Sequence, residues 1–375
     1  MAGGTAAEYR IAEGGLGGEP TVTVSAPDGS GRVTVALRGA TLLSWQAGRG
    51  ADGQPRELTD GYRGEAELLA QDGVRAGLLA PFPNRVADGR YRYGGHDHDL
   101  LPGHHSDRLI YHGFAREAPF ELSSAAVTAD SARLLLRSTS IRPGRYPGYP
   151  FAVDLAVEYT VSDREVGIEL CATNVGDTTA PYAAGWHPYF TLSRPIDDLV
   201  LHIPAHTLIR TDASLVPLRG GDALTCLDRC PGMDFRVPRR LGDAVIDACF
   251  AGLSPGPGGR AETVLTDPAT GEGLRVWQYG GYLHVFTGDT LARDRRASIA
   301  LEPVEATTDA FNRPGTRPRP GPGIRPTAGI PLRRHVPAPH ALSSPPNRCD
   351  AMRRPFAARP SARDGLPCAD RRFSS

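Results

Sequence analysis

The stretch FAVDLAVEYTVSDREVGIEL, residues 151–170, decides the fold. Apolar and polar residues alternate along its first half, and the alternation resumes after the polar turn Ser162-Asp163-Arg164. The apolar positions are Phe151, Val153, Leu155, Val157, Tyr159, Val161, Val166, Ile168 and Leu170. Successive side chains of a strand point to opposite faces, so each half predicts a half-buried β-strand. Two such strands joined by a short polar turn predict an antiparallel hairpin.

The same pattern extends over much of the chain. Further β-like runs lie at residues 21–25, 33–37, 132–137, 274–278 and 282–286. No stretch has the long, capped, 3.6-residue period of an amphipathic helix. Many strands separated by Gly, Pro and Asp turns predict an all-β sandwich or barrel, and all-β units of this size form one domain. We therefore predict one domain over residues 8–313.

Composition excludes several classes of partner. The 42 basic residues are balanced by 42 acidic ones, so a nucleic-acid partner is not expected. No run reaches the ~20 apolar residues of a membrane span. Residues 1–16 lack the charged and apolar regions of a secretory signal, and we expect a cytoplasmic location. The six cysteines form no CxxC pair of the kind that structural zinc or a redox site favours.

The composition changes beyond Asn312. Arg and Pro dominate residues 314–375, and the acids there are Asp350, Asp364 and Asp370. Such a segment cannot build a core and is predicted to be disordered. It is either a basic binding arm or the out-of-frame translation of a G+C-rich gene, and the second interpretation is favoured.

Four short segments carry polar residues suited to chemistry. They are Pro81-Phe82-Pro83-Asn84-Arg85-Val86, Tyr111-His112-Gly113-Phe114-Ala115-Arg116, Gly185-Trp186-His187-Pro188-Tyr189-Phe190 and Ala300-Leu301-Glu302-Pro303. Any one of them is a weak signal. Together, in this order and spacing, they resemble the aldose 1-epimerase (galactose mutarotase) family.

The resemblance implies a large antiparallel β-sandwich, the galactose mutarotase-like supersandwich, with the sugar in an open cleft across one sheet. It also implies an isomerase in which Glu302 takes the proton of the anomeric hydroxyl while His187 protonates the ring oxygen. The sugar ring then opens, the aldehyde turns over, and closure gives the other anomer. His112 would hydrogen-bond near the ring oxygen.

The resemblance further implies which side chains hold the sugar. Asn84 and Arg85 would grip hydroxyl groups, and Asp247 would accept a hydroxyl bond. His284 stands where related mutarotases often carry glutamine, so it is counted among the substrate-binding residues. An aromatic ring such as Trp186 or Phe190 would pack on the apolar face of the sugar.

The chemistry needs one acid and one base, placed on opposite sides of the hemiacetal. Free Glu titrates near ~4.3 and free His near ~6.5, so Glu302 would be an anion and His187 would need a modest upward shift of its pKa. No metal and no organic cofactor is required, and the expected partner is a small-molecule sugar. The protein would be a monomer or homodimer.

Structural interpretations compete with these assignments. His187 alone could be a core histidine, Asn84 and Arg85 a turn, and Asp247 a structural acid. Glu305 is a rival for the base. The histidine-rich patch of His96, Asp97, His98, His104 and His105 indicates a solvated hairpin and loop more than a metal site, because no Cys or Glu completes a set of ligands.

Two other functions remain open from the sequence. The His112-Gly113-Phe114-Ala115-Arg116 segment also resembles hexose-6-phosphate 1-epimerases, although a phosphate site should gather several arginines. A non-catalytic carbohydrate-binding protein on the same fold is the third alternative.

Overall fold

The structure, a computed structural model, describes residues 8–49, 53, 55–163 and 165–313. The predicted tail over residues 314–375 lies outside the described residues. The first twelve strands are β1 (Arg10–Leu16), β2 (Glu19–Ser25), β3 (Arg32–Ala36), β4 (Thr41–Arg49), β5 (Pro55–Glu57), β6 (Gly77–Leu79), β7 (Arg90–Tyr93), β8 (His96–Asp99), β9 (Glu121–Val127), β10 (Ser131–Ile141), β11 (Val153–Ser162) and β12 (Glu165–Asn174).

The strands that follow are β13 (Gly185–His187), β14 (Tyr189–Phe190), β15 (Val200–His202), β16 (Thr207–Ile209), β17 (Leu224–Cys226), β18 (Arg239–Arg240), β19 (Asp247–Ala251), β20 (Ala261–Thr266), β21 (Gly273–Gln278), β22 (Tyr282–Phe286) and β23 (Ile299–Val304). One short α-helix, α1 (Glu65–Ala70), lies in the described part of the chain. Single 3₁₀ turns are at Asp72–Val74, Ala87–Gly89, Ala115–Glu117, Ile196–Asp198, Gly220–Ala223, Leu227–Arg229, Pro231–Met233, Pro257–Gly259 and Ala310–Asn312. None of the helices in these described segments is long and apolar enough to cross a membrane.

The strands form antiparallel sheets. The first sheet has the order β1-β2-β3-β4-β5, the second β12-β11-β10-β9, and a third β18-β15-β20-β21. The largest sheet has the order β17-β16-β19-β22-β23-β13-β6, with β14 also paired to β23, and β7 pairs with β8. The all-β prediction is confirmed.

The hairpin predicted from residues 151–170 is the pair β11–β12. Its register places Val161 opposite Val166, and Tyr159 opposite Ile168. The inward residues of β11 are buried at alternate positions, as the sequence pattern requires.

One hydrophobic core joins the sheets. The same buried cluster contains Val24 and Trp45 of the first sheet, Val157 and Tyr159 of the second, Leu265 and Val276 of the third, and Leu283 and Leu301 of the largest sheet. Sheets that bury their apolar faces against one another are the architecture of a β-sandwich.

The centre of the largest sheet holds the candidate site. Strand β23 lies between β22 on one side and β13 with β14 on the other. All six of its residues are buried, including Glu302. Pro188 separates β13 from β14 and so fixes His187 as the last residue of β13.

Candidate active site

His187 and Glu302 lie side by side on neighbouring strands. The distance from His187 Nε2 to Glu302 Oε1 is 3.3 Å. Both residues are buried, with 5% and 2% of their surface exposed. The sequence-based picture of an acid and a base on opposite sides of the hemiacetal stays a prediction, and the structure adds that the two side chains are in contact with each other. Since both oxygens of a hemiacetal are bonded to one carbon, two adjacent groups can reach them both.

Burial shifts both members of this pair toward their neutral forms. Desolvation raises the pKa of Glu302 to about 8, and the nearby Asp247 carboxylate raises it further while the His284 and Arg85 cations lower it. Desolvation, helped by the charge of His284, lowers the pKa of His187 to about 3. The expectation of an ionised Glu302 and an easily protonated His187 is thus corrected, because a dry environment disfavours either charge.

The two groups titrate as a unit. A buried acid and base in contact hold their protons jointly, and their apparent pKa values belong to the pair. Near neutral pH the pair therefore holds one proton, which Glu302 or His187 can carry.

His112 lies against His187 and is oriented by the Asn84 segment. The two imidazole rings meet edge to face, with centroids 5.2 Å apart. The Asn84 amide N–H donates to His112 Nδ1 at 3.2 Å, and the His112 amide N–H donates to the Asn84 carbonyl at 2.8 Å. Burial lowers the pKa of His112 well below its usual range. A neutral ring that accepts at Nδ1 carries its proton on Nε2, so His112 offers a donor there.

Asn84 and His112 both have left-handed backbone conformations, with φ of 52° and 65°. Residues in this region are uncommon outside glycine and are typical of functional sites, although Asn and His tolerate it better than most. The Asn84 side-chain oxygen accepts from the Arg85 amide at 2.9 Å and from Arg85 Nη1 at 3.1 Å. The amide thereby holds the guanidinium close enough to lower the pKa of both Glu302 and Asp247.

Asp247 and His284 form a second pair in the same site. His284 Nε2 is 2.8 Å from Asp247 Oδ1. Burial opposes ionisation of both groups, but the contact between them outweighs it for Asp247 and lowers its pKa. For His284, the negative charge of Glu302 and the hydrogen bond with Asp247 overcome burial and raise its pKa well above the usual range. The sequence assigned both residues to the sugar separately and did not anticipate that they bind each other.

The prediction that Trp186 or Phe190 packs on the sugar is wrong, because both side chains are buried in the core. Trp186 is 2% exposed and Phe190 is fully buried in the core, and the Trp186 indole N–H donates to the Ala76 carbonyl at 3.1 Å. Two other rings lie at the site. Tyr189 stacks on His187 with ring centroids 5.1 Å apart, and Tyr111, which is 37% exposed, contacts His112 with centroids 5.0 Å apart.

The alternation of side chains along a strand could have identified Tyr189 as a site residue. His187 and Tyr189 are two residues apart, so their side chains share a face even though Pro188 interrupts the strand. Trp186 and Phe190 occupy the alternate positions and point into the core. The exposure of Tyr111 had no such signal, because it lies in a loop.

Glu305 is not part of the cluster. Its carboxylate accepts a hydrogen bond from the Ala184 amide, and Gln278 and Tyr279 line the same small depression. Burial raises the pKa of Glu305 to about 7. The structure therefore brings Glu302, and not its rival Glu305, into contact with His187.

The histidine-rich patch is a hairpin and loop. His96 and His98 lie on β8, and His104 and His105 are exposed in the following loop. Within the described ranges, no three His, Cys, Asp or Glu side chains are grouped so that they could hold a metal ion.

Comparison with known proteins bears on the identity of this site. The family model for aldose 1-epimerase matches residues 20–321. The uncharacterized protein YihR of Escherichia coli (strain K12) is 28% identical over 239 residues, which cover 63% of this chain and 71% of the relative.

Solved structures show the same fold. The galactose 1-epimerase from Lactobacillus acidophilus NCFM has a TM-score of 0.70 at 17% identity, covering 87% of this chain and 98% of that one. The GalM/aldose epimerase homologue from C. elegans has a TM-score of 0.69 at 17% identity, covering 87% and 99%. The predicted large antiparallel β-sandwich is confirmed.

Proposed function

The chain belongs to the aldose 1-epimerase family of isomerases, and we propose that it interconverts the α and β anomers of a free aldohexose such as glucose or galactose. The observation that carries this proposal is the buried contact of 3.3 Å between His187 Nε2 and Glu302 Oε1. One side chain serves each oxygen of the anomeric carbon. Positioned proton transfer of this kind contributes roughly 10²–10⁴-fold in rate.

The reaction begins with the Glu302 carboxylate taking the proton of the anomeric hydroxyl. As the bond between the anomeric carbon and the ring oxygen breaks, His187 gives its proton to the ring oxygen. The products are the open-chain aldehyde and a neutral Glu302–His187 pair. Rotation about the bond to the neighbouring carbon presents the other face of the aldehyde, and the reverse transfers close the ring.

The electrostatics of the site support this cycle. Burial favours the neutral pair, which is the state that accompanies the open-chain aldehyde. His112, with its proton on Nε2, can donate to the ring oxygen. Arg85 offers a fixed fork of donors for hydroxyl groups, and we assign the apolar face of the sugar to Tyr111, the exposed ring beside His112.

Two alternatives are weighed by the same contacts. A phosphorylated sugar would need several arginines free to bind it, and Arg116, whose charge acts on His187, pairs with Glu117 at 3.0 Å. A protein that only binds sugar gains nothing from burying a carboxyl against an imidazole, because the desolvation of both groups costs stability.

Polarimetry of freshly dissolved α-D-glucose, α-D-galactose and glucose 6-phosphate tests the proposal. We expect the purified protein to accelerate the change in rotation of at least one free sugar more than that of the phosphate ester. A folded protein that accelerates none of the three would refute the proposed activity. A faster reaction with the phosphate ester alone would assign the phosphorylated substrate.

The proposal includes a small-molecule sugar as the partner and a monomer or homodimer as the assembly. Light scattering on a size-exclusion column distinguishes the two assemblies.

A further inference from the structure

Three ionisable side chains lie in a row across adjacent strands of the largest sheet. In the register of β22 and β23, His284 is directly opposite Glu302, and on its other side His284 is opposite Cys249 of β19. Directly opposed residues of an antiparallel pair share a face and lie close together. The His284 ring reaches along that face to Asp247, at 2.8 Å. The order across the sheet is Asp247, His284, Glu302.

This arrangement places the imidazole of His284 between two carboxyl groups. Asp247 exposes 38% of its side chain, whereas Glu302 exposes 2%. Solvent therefore helps to stabilise a charge on Asp247 but not on Glu302. A carboxyl in the position of Glu302 depends on its protein neighbours for any stabilisation of its anion.

The groups that act on this carboxyl come from several elements. The titratable and charged neighbours of Glu302 are His187 on β13, Tyr189 on β14, Asp247 on β19, His284 on β22 and Arg85 in the loop before β7. His112 and Arg116 act on the His187 side of the pair. Of the groups acting on Glu302, His284 and Arg85 favour its anion, and His284 exerts the larger effect.

We infer that the Asp247–His284 pair is a positioning element that keeps a positive charge beside Glu302 and so shifts the proton shared by Glu302 and His187 toward His187. This inference rests on the proposed function and deepens it. His284 acts through Glu302, and its primary role is not to bind a sugar hydroxyl. Asp247 holds the ring in place and stabilises its cation.

The consequence for the reaction is a balance between two proton arrangements. The ring opens from the ionised Glu302 with a protonated His187, and it closes from the neutral pair. Burial favours the neutral pair, while the His284 cation favours the ionised carboxylate. Without that cation Glu302 would hold the proton still more tightly before the sugar arrives, and a smaller fraction of the protein would have a free base.

The first test compares the pH profiles of the wild type and His284→Gln. Activity requires one proton on the pair, so the wild type should lose activity as pH rises above about 8. Removing a nearby cation strengthens the hold of Glu302 on its proton. We therefore expect the alkaline limb of kcat/KM, which reports the free enzyme, to move up by about 1 to 3 pH units, with a kcat at neutral pH at least about tenfold lower. His202→Gln, on β15 in another sheet, is the matched control and should leave both unchanged.

A double variant distinguishes the effect of Asp247 on Glu302 from that of His284. In the His284→Gln background Asp247 is left as an uncompensated negative charge near Glu302, so adding Asp247→Asn should move the alkaline limb back down. A raised KM with kcat and the alkaline limb unchanged in His284→Gln would overturn the inference and make His284 a sugar contact.

A readout independent of turnover keeps this inference separate from the proposed function. Infrared difference spectra at about pH 8, where the wild-type carboxyl is about half ionised, report the protonated fraction of Glu302, and the Glu302→Gln variant is the reference that identifies the band. We expect a larger protonated-carboxyl band in His284→Gln than in the wild type. An equal band would overturn the inference whether or not the wild type accelerates mutarotation, and absent mutarotation with the expected band would overturn only the proposed function.

Discussion

Replacing Glu302 by Gln should stabilise the protein and abolish its catalysis at the same time. The change keeps the shape of the side chain and removes its charge. Glu302 is 2% exposed, and burial raises its pKa from 4.5 to about 8. The folded state therefore holds this proton far more tightly than the unfolded chain does. The wild type gives up that advantage as pH rises, whereas the Gln variant has no such dependence.

The size of the effect follows from the shift of the pKa. Below the unfolded pKa of 4.5 both states are protonated and the two proteins should be similarly stable. Between 4.5 and about 8 the wild type loses stability relative to the variant, and above about 8 the difference is constant. At about 1.4 kcal/mol per pH unit, the full difference is on the order of 5 kcal/mol.

Guanidinium unfolding at pH 5 and at pH 8.5 measures this difference. We expect less than about 1 kcal/mol between the proteins at pH 5 and several kcal/mol in favour of Glu302→Gln at pH 8.5. A variant no more stable than the wild type at pH 8.5 would refute the reasoning from burial.

Glu305→Gln is the matched control for activity. Glu305 is also a carboxyl whose pKa burial raises, to about 7, but it contacts Ala184 and not His187. Relative to the wild type, the Glu305→Gln variant should become more stable as pH rises and should keep the wild-type mutarotation rate. The Glu302→Gln variant should lose roughly 10²–10⁴-fold in that rate. Loss of activity in Glu305→Gln with activity retained in Glu302→Gln would exchange the roles of the two residues.

Three further predictions concern the neighbours of Glu302. His187→Gln should lower the mutarotation rate measured by polarimetry at least about 10²-fold. Burial lowers the pKa of His187 to about 3, so the wild type loses stability as pH falls below 6.5 and the variant does not. In unfolding curves the variant should therefore be increasingly more stable than the wild type as pH falls, which is the opposite of Glu302→Gln. Tyr111→Ala should raise KM several-fold while Tyr111→Phe keeps it, since the ring face and not the hydroxyl would meet the sugar, and equal KM values would contradict this. Gly113→Ala should lower both Tm and kcat, because φ of Gly113 is +62° and the added Cβ would lie 2.2 Å from the Ala80 carbonyl oxygen. An unchanged Tm would contradict this close contact between Gly113 and the Ala80 backbone.

The period-two pattern was sufficient for β10 and β11 because each of them buries alternate residues. The runs at residues 132–137 and 282–286 fall within β10 and on β22, and the 151–170 hairpin forms as the antiparallel pair β11–β12. The same pattern fails at β23, where all six residues are buried and no alternation remains. The burial of Glu302 therefore could not be predicted from its neighbours in sequence.

Residue types and their order were enough to nominate the members of the site but not their contacts. Asp247 and His284 are 37 positions apart, and only the pairing of β19 with β22 brings them together. The reciprocal bonds between Asn84 and His112 likewise depend on two left-handed residues in separate loops. Contacts made through sheet register or loop closure leave no local pattern in the sequence.

The buried ionisable groups of this site lower the stability of the folded protein. Strand β23 supplies apolar core on both faces, and the same burial makes the Glu302 anion and the His187 cation unfavourable. Substitutions that neutralise either group should relieve that cost, so stability and activity should change in opposite directions at these two positions. At an ordinary core position, such as Leu301 next to Glu302, truncation should instead lower stability by roughly 2–5 kcal/mol, and activity would fall only through loss of folded protein. The sign of the stability change on substitution therefore distinguishes the catalytic residues, whose burial lowers stability, from the core residues, whose packing raises it.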